Sequence, residues 1–220
     1  MKNFLKIFIL ILKKDILVET REKLNLVYLF VLSPTLSLIA FVFIGSDSPT
    51  ELFFFTSLIV ALIANQRISR QEISLGGDLI LISAPCDLSI ICFSKISFFI
   101  LVNIFINLIV FATLSLVLED IFSNITNFLT LCFLFSVGVS SILSTFSLML
   151  ERIKGEGHFM FMLIYPLILP FLLLSYNSIP LIDLYGGESF FSSFSLQALV
   201  AFDILLLTIC PILFSYSIRR

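Results

Sequence analysis

Residues 96–118 read ISFFILVNIFINLIVFATLSLVL, a run without a single charged side chain. A helix needs about 17–25 mainly apolar residues to cross a bilayer, at a rise of about 1.5 Å per residue. Comparable apolar runs occur at 25–45, 50–66, 127–150, 159–177 and 195–217. These runs are continuous rather than alternating between apolar and polar residues, which excludes the strands of a β-barrel. The sequence therefore predicts an all-α membrane protein with six transmembrane helices.

The amino-acid composition is that of a membrane protein. Hydrophobic residues make up 59% of the chain, charged residues make up 13%, and the mean hydropathy is +1.14. Soluble domains are typically about 45–50% apolar and about 25% charged. A soluble chain of this composition would lack the polar surface needed to cover its core. The net charge of -2 gives no sign of a nucleic-acid partner.

Charge is distributed unequally between the two sides of the six-helix pattern. The thirteen basic residues all fall before the first run, at alternate loops, or at the end of the chain. They are Lys2, Lys6, Lys13, Lys14, Arg21, Lys23, Arg67, Arg70, Lys95, Arg152, Lys154, Arg219 and Arg220. The other loops carry acids and no Lys or Arg, namely Asp47, Glu51, Glu119, Asp120, Asp183 and Glu188. Short loops rich in Lys and Arg stay on the cytoplasmic side, which predicts that both termini are cytoplasmic.

Residues 1–24 form a separate element ahead of a transmembrane domain at 25–220. Its lysines bracket a short apolar stretch at 7–12, and Glu19 and Lys23 have the i,i+4 spacing of a helical ion pair. We expect an interfacial helix on the cytoplasmic leaflet, with its lysines near anionic headgroups. The alternative is a cleaved signal peptide, but the apolar stretch is short and no small-residue cleavage site follows it.

The segment 67–88 is the longest predicted cytoplasmic loop after the N-terminus. It begins with a polar stretch that contains Arg70 and Glu72, turns at a glycine pair that starts with Gly76, and continues as DLILISA. Pro85 ends any helix formed there, because the residue before proline avoids the α region. We expect a short, partly apolar helix outside the bilayer. It either packs under the protein's own helix bundle or docks another subunit.

Two charged residues frame the start of the third run. Asp87 is placed to cap that helix, with its carboxylate accepting hydrogen bonds from the first free N–H groups. Lys95 follows two turns later, and we expect its long side chain to extend its ammonium group back to the interface.

Polar residues inside the predicted spans indicate where helices contact each other. Asn103 and Asn107 share one face of the third helix and predict hydrogen bonds to a neighbouring helix. Asp203 is predicted either to form an interhelical hydrogen bond or to lie close to the outer interface.

Pro166 and Pro170 each remove a backbone hydrogen bond. They predict a kinked or broken helix that faces the bundle interior or a cavity, and whose bend acts as a gate.

The sequence contains no catalytic or metal-binding constellation. His158 is the single histidine, so no site of several histidines can form, and a role for it as a haem-iron ligand is a minor alternative. The four cysteines include no Cys-x-x-Cys pair and are expected to be reduced. There is no Gly-x-x-x-x-Gly-Lys-Ser/Thr phosphate loop. We therefore expect a non-enzymatic chain that holds no metal and does not hydrolyse ATP itself.

Several of these features, taken in order, resemble the haem exporter protein B (CcmB) family. The family has a basic and acidic stretch after the second span, then a glycine, a leucine-rich turn, a proline and a lysine. Later it has a basic residue with paired glycines, two prolines four apart, and a C-terminal proline before a basic end. The matching residues here are Arg70, Glu72, Gly76, Leu79 to Ile82, Pro85, Lys95, Lys154, Gly155, Gly157, Pro166, Pro170, Pro211 and Arg219. The similarity covers essentially the whole chain. The sequence differs from the family pattern at Gln71, at Asp78-Leu79 and at Glu156.

The resemblance implies a permease-like subunit with the ABC-2-type transmembrane fold. Such a subunit exports haem, or serves an ATP-driven release of the haem-loaded chaperone, so haem is a possible substrate. A CcmA-like partner would hydrolyse the ATP. Further implied partners are CcmC-like and CcmD-like membrane subunits and the CcmE-like haem chaperone, with two copies of this chain per complex. The implied docking and coupling residues are Arg70, Glu72, Gly76, Asp78, Leu79, Pro85 and Lys95.

Two alternatives remain open from the sequence. The implied location is the bacterial inner membrane, with the mitochondrial inner membrane as the alternative. The functional alternative is an ABC-2-type permease subunit for another substrate, such as a lipid, a polysaccharide or a drug. A membrane-embedded enzyme is disfavoured, because it should show clustered acids or histidines at one membrane depth.

Overall fold

A computed structural model describes residues 2–21, 23–45, 49–74, 87–118, 124–150, 157–184 and 190–218. Within these ranges the regular secondary structure is helical. The helices are α1 (Lys2–Arg21), α2 (Lys23–Ile44), α3 (Pro49–Ser74), α4 (Leu88–Val117), α5 (Ile125–Leu150), α6 (Gly157–Ser178), the short α7 (Leu181–Leu184) and α8 (Phe194–Ile218).

The described helices include five that are long and apolar enough to cross a membrane, in α2, α3, α4, α5 and α8. In α6 the described apolar segment, Ile168–Ser178, is shorter. The prediction of an all-α membrane protein is thus confirmed, and the chain is a multi-pass membrane protein. The presence of six spans stays a prediction, in which α6 is the fifth span.

The first part of the predicted cytoplasmic segment 67–88 is helical, and the position of this segment relative to the membrane stays a prediction. Helix α3 does not end with its apolar residues but continues through the polar stretch to Ser74. Helix α4 likewise begins at Leu88, ahead of the apolar run that starts at 96. Hydropathy falls where a helix leaves the apolar layer, whereas backbone hydrogen bonds continue as long as residues keep helical dihedrals.

Helix α5 lies at the centre of the bundle, in contact with α3, α4, α6 and α8. An 18-residue segment within Ile125–Phe146 is 78% buried, against 22% for Val27–Ile44 of α2. Its large inward side chains join a cluster of aromatic rings, in which Phe135 lies 5.1 Å from Phe54 and 5.6 Å from Phe171 between ring centroids. Phenylalanine rings at such separations pack favourably edge to face or offset.

Small residues on α5 allow α6 and α8 to approach closely. A Cβ atom added to Gly138 would lie 2.2 Å from the ring of Phe171 in α6 and 2.6 Å from Oδ1 of Asp203 in α8. Seven residues further along both helices, the Thr145 hydroxyl lies 3.5 Å from the sulfur of Cys210. The two pairs have the same sequence offset, so α5 and α8 run parallel to each other. Close contacts at small residues are the usual basis of helix packing in membranes.

Candidate coupling site

Lys95 lies inside the helix bundle rather than at an interface. Its side chain is 4% exposed, and its Nζ donates a hydrogen bond of 2.5 Å to Oε1 of Glu72 in α3. The same Nζ lies 3.1 Å from Oδ2 of Asp15 in α1. The expectation that Lys95 extends to the interface is therefore wrong. Two carboxylates from two other helices neutralise its ammonium charge inside the bundle, so the side chain does not have to reach water.

A second lysine closes this group of charges into a ring. Lys14 Nζ lies 3.2 Å from Oδ1 of Asp15 and 3.9 Å from Oε1 of Glu72. Cations and anions thus alternate around the ring in the order Lys95, Asp15, Lys14, Glu72, and we call these four residues the Lys95 cluster. Lys14 is 44% exposed, whereas Asp15 is 5% exposed. The cluster therefore extends from the interior of the bundle to its surface.

Three helices supply these side chains because each places a charge on its inward face. Helix α1 packs against α4, and its acids Asp15 and Glu19, four residues apart, are both buried. Glu72 lies in the last turn of α3, directly before the loop. The apolar contact of Ile16 with Ile68 and Phe98 holds the same three helices together beside the charges.

The position of Glu72 makes the cluster the root of the predicted coupling loop. Glu72 lies two residues before the end of α3, and the cluster connects the last turn of α3 to α4 and α1. One turn earlier, Arg67 lies over the ring of Tyr28 in α2, 4.0 Å from its centroid. Such a cation–π contact contributes about 0.5–2 kcal/mol. The end of α3 is therefore fixed to three other helices through charged groups.

The remaining predicted site residues have different outcomes. Arg70 is exposed on α3. Gly76, Asp78, Leu79 and Pro85 lie outside the described residues, so their role stays a prediction.

Asp87 does occupy the N-cap position of α4, but its side chain makes no capping hydrogen bond, and the predicted carboxylate cap is wrong. Its backbone carbonyl instead accepts from the N–H of Ile90 at 3.0 Å.

The proline pair lies within a continuous helix. Helix α6 runs from Gly157 to Ser178 through both Pro166 and Pro170, so it is not broken. Both proline residues are exposed in the described chain, whereas Phe171 beside them is fully buried. The helix thus faces the bundle interior through Phe171, while the prolines lie on its exposed side. Their missing N–H groups weaken the helix on the side that faces away from α5.

The asparagine prediction is confirmed. Nδ2 of Asn103 donates to the hydroxyl of Ser140 at 2.8 Å, and Nδ2 of Asn107 donates to the hydroxyl of Ser136 at 2.9 Å. The two bonds join α4 to the central helix α5, one turn apart. They lie between the Lys95 cluster and the far end of α4.

We expect replacement of either asparagine by leucine to lower the free energy of unfolding by about 0.6 kcal/mol, because this is the average measured for interhelical hydrogen bonds in membranes. Thermal unfolding in detergent measures the change. In a double-mutant cycle, Asn103→Leu with Ser140→Ala should cost less than the sum of the single changes. Strict additivity of the two would contradict the hydrogen bond.

Asp203 has no hydrogen-bond partner in the part of the chain that the structure describes. It is 3% exposed, and neither carboxyl oxygen has a partner among the described residues. The described residues thus offer no interhelical hydrogen bond to Asp203, and the alternative, a position close to the outer interface, stays a prediction. Its Oδ1 faces Gly138 of α5, which has no side-chain donor.

Sequence reasoning missed Asp15, which completes the Lys95 cluster. The signal was present, because Asp15 and Glu19 put two acids on one face of a helix that is otherwise apolar and basic. A lysine at the start of an apolar run is the complementary signal. Without the fold, however, nothing in the sequence connects residue 15 to residue 95.

The fold and the site together define a polytopic membrane protein with a cluster of paired charges from three helices at one end of the bundle, beside a loop. A family model for the CcmB protein matches residues 6–220, nearly the whole chain, and this chain belongs to the CcmB family. Members of that family are the membrane components of ABC systems for haem export and cytochrome c maturation. The chain is accordingly a transporter membrane subunit of cytochrome c biogenesis. No curated protein and no solved structure matches it.

Proposed function

We propose that this chain is a six-span permease-like subunit of ABC-2-type fold that converts ATP hydrolysis by a partner ATPase into movement of membrane helices. The movement serves haem export or the release of the haem-loaded chaperone. The chain itself contributes no catalytic group, and haem is its possible substrate. Export of a lipid, a polysaccharide or a drug by the same fold is the alternative.

The Lys95 cluster is the observation that carries this proposal. A loop that receives force from a soluble partner must be attached firmly to the helices that it moves. Glu72 at the root of this loop pairs with the buried Lys95 of α4 and lies 3.9 Å from Lys14 of α1. Removing one member of such a buried group costs about 3–5 kcal/mol, because it leaves another charge uncompensated. Movement of the loop therefore carries the bundle with it.

The contacts of α4 and α5 supply a route from the loop to the opposite end of the bundle. Displacement of α4 acts on α5 through the bonds of Asn103 and Asn107. Helix α5 contacts Phe171 of α6 at the glycine contact. There the exposed Pro166 and Pro170 form the proposed gate, since a helix that lacks two backbone hydrogen bonds bends at low cost. Such a route requires different contacts in two states.

The outward surface of α1 supports an interfacial position for this helix. Its exposed residues combine apolar side chains, Leu5, Ile9, Leu10 and Leu17, with Lys6, Lys13, Lys14 and Arg21. A helix of this type lies at the surface of an anionic leaflet, with its cations at the headgroups. In the proposed topology this leaflet is the cytoplasmic one, both termini are cytoplasmic, and the membrane is the bacterial inner membrane or its mitochondrial counterpart.

The proposed complex contains the ATPase and other membrane proteins. The loop at residues 75–86 receives a CcmA-like ATPase, and Arg70, Gly76, Asp78, Leu79 and Pro85 belong to the docking surface. Two copies of the chain match the two nucleotide sites of an ABC dimer. CcmC-like and CcmD-like subunits and the CcmE-like chaperone complete the assembly.

Purification of the tagged chain in mild detergent tests this proposal. We expect a CcmA-like ATPase to co-purify with the wild-type chain, and Asp78→Lys to reduce its recovery and the yield of c-type cytochromes by at least about tenfold, because it reverses a charge at the docking surface. Glu51→Lys, on α3 at the other end of the bundle, is the matched control and should retain the ATPase. Two results together would contradict the proposal. The wild-type chain would be recovered without any ATPase, and deletion of the chain would leave the yield of c-type cytochromes normal.

A further inference from the structure

A deep apolar groove lies between α4 and α5 on the outer surface of the bundle. Its volume is about 510 Å³, which is comparable with the pockets that bind ligands in other proteins. Buried phenylalanine rings, among them Phe53 and Phe128, belong to its floor. Its rims are exposed apolar side chains of the two helices, namely Ile104, Leu108, Leu129 and Phe133. In the membrane this groove is filled by lipid chains or by a partner.

The groove contains one polar pair, Asn107 of α4 and Ser136 of α5, and the other described residues that line it are apolar. The Asn107 amide nitrogen donates to the Ser136 hydroxyl at 2.9 Å, and this hydroxyl donates to the backbone oxygen of Cys132 at 2.7 Å. The serine proton is thus committed, and no described residue donates to Oδ1 of Asn107. Asn107 is partly exposed where it lines the groove, so this acceptor is available to the occupant.

The polar pair lies near the middle of the membrane in the proposed topology. Asn107 precedes the end of α4 at Val117 by ten residues, and Ser136 follows the start of α5 at Ile125 by eleven. At about 1.5 Å per residue, both lie about 15 Å from that end of the bundle, which is half of a hydrocarbon core of about 30 Å. An amide oxygen without a donor is costly at that depth, because neither water nor a lipid chain supplies one.

Three kinds of occupant differ in how well they satisfy this groove. An acyl chain fills the apolar part but leaves Oδ1 of Asn107 without a donor. A second copy of this chain, related by two-fold symmetry, would place groove against groove, and two concave surfaces do not fill each other. A transmembrane helix with a polar side chain at its centre meets both requirements. Its apolar side chains fit between the rims, and its hydroxyl or amide group donates to Asn107.

The walls of the groove are held together without a partner. The bonds of Asn103 to Ser140 and of Asn107 to Ser136 join α4 to α5 at two successive turns. A site that is formed in advance loses less conformational freedom on binding, so more of the contact energy contributes to affinity.

We propose that the groove between α4 and α5 docks a transmembrane helix of a different membrane protein, which donates a hydrogen bond from a Ser, Thr, Asn or Gln side chain to Oδ1 of Asn107. The inference rests on the proposed function for its partner, because that function places other membrane subunits beside this chain. It assigns a surface to one of them and involves neither the ATPase nor the segment at residues 75–86.

Photo-cross-linking of the full chain in its native membrane tests this inference. The photoreactive residue p-benzoylphenylalanine replaces Phe133, an exposed aromatic residue on the rim, one turn from Ser136. We expect illumination to join the chain to another membrane protein. Mass spectrometry of the joined peptide should place the attachment in an apolar span of that protein, with a Ser, Thr, Asn or Gln within about one turn of it. The same group at Ile212, exposed on α8 and outside the groove, should not give this product.

Two second-site variants of the chain that carries the photoreactive residue test the hydrogen bond. Asn107→Leu removes the acceptor and should lower the yield of the product at least about threefold, the factor that corresponds to an average interhelical hydrogen bond in a membrane. Ser136→Ala removes the bond inside the chain but leaves Oδ1 of Asn107 in place, so it should retain the yield. Both variants should unfold within a few degrees of the parent chain in detergent, because each loses a single weak bond.

Four results would overturn the inference. They are products with lipid or a small amphiphile alone, products with a second copy of this chain, attachment to a span that has no donor nearby, and an unchanged yield in Asn107→Leu. If no ATPase co-purifies with the chain while the expected product forms, the proposed function is contradicted and the docking groove is supported.

Discussion

Lys95→Met is expected to destabilise the chain more than any other single substitution in the Lys95 cluster. Methionine matches the length of the lysine side chain but leaves Asp15 and Glu72 close together without the cation that lies between them. Removing one partner from a buried group of charges costs about 3–5 kcal/mol. The midpoint of thermal unfolding in detergent should fall by about 6 °C or more.

A triple variant separates stability from coupling. Lys95→Met combined with Asp15→Asn and Glu72→Gln removes the buried charges together, and such neutral replacements are often tolerated. We expect this variant to recover most of the lost thermal stability, yet to give as little c-type cytochrome as Lys95→Met alone, because the loop is no longer attached through charge. A single Lys95→Met variant as stable as the wild type would contradict the electrostatic description of the site.

Gly138→Val is expected to have the second large effect. The added side chain would overlap the ring of Phe171, because even its Cβ would lie 2.2 Å from that ring and 2.6 Å from Oδ1 of Asp203. Overpacking of this kind costs about 1–3 kcal/mol and sometimes more. We expect a loss of about 3 kcal/mol in the free energy of unfolding, measured by thermal unfolding in detergent. The contact between α5, α6 and α8 should separate first.

Two further variants show whether the clash itself is the cause. Ala112→Val introduces the same β-branched residue at an exposed position of α4, so it should have little effect. Phe171→Leu removes the ring atoms that face Gly138, so the double variant Gly138→Val, Phe171→Leu should be more stable than Gly138→Val alone. If Phe171→Leu does not relieve the loss, the close approach of α5 and α6 is not its origin.

Local sequence patterns predicted those parts of the structure that depend on one helix. The apolar runs gave the helical membrane architecture, and the i,i+4 spacing of Asn103 and Asn107 gave the contact with a neighbouring helix. Both predictions rest on periodicity within a single segment, where geometry follows from residue spacing. Helix ends were less well predicted, because α3 keeps its hydrogen bonds beyond the last apolar residue.

The Lys95 cluster could not be predicted, because its partners are distant in sequence. Hydropathy shows only a lysine near the start of an apolar run, and a lysine in that place normally extends toward water. The carboxylates that hold it belong to two other helices. The same reason applies to Asp203, for which the sequence predicted an interhelical hydrogen bond or a position close to the outer interface, while α5 presents a glycine beside it. Tertiary packing, which places one helix face against another, decides both outcomes.

Labelling of Cys86 in membrane vesicles of known orientation is the most direct test of the proposal that the loop faces the ATPase. The other three cysteines, Cys92, Cys132 and Cys210, are buried, and Cys86→Ser provides the blank for a membrane-impermeant maleimide. We predict that Cys86 reacts only from the side on which ATP is present, and that bound ATPase slows the reaction. Reaction only from the opposite side, or at a rate that the ATPase leaves unchanged, would contradict the account.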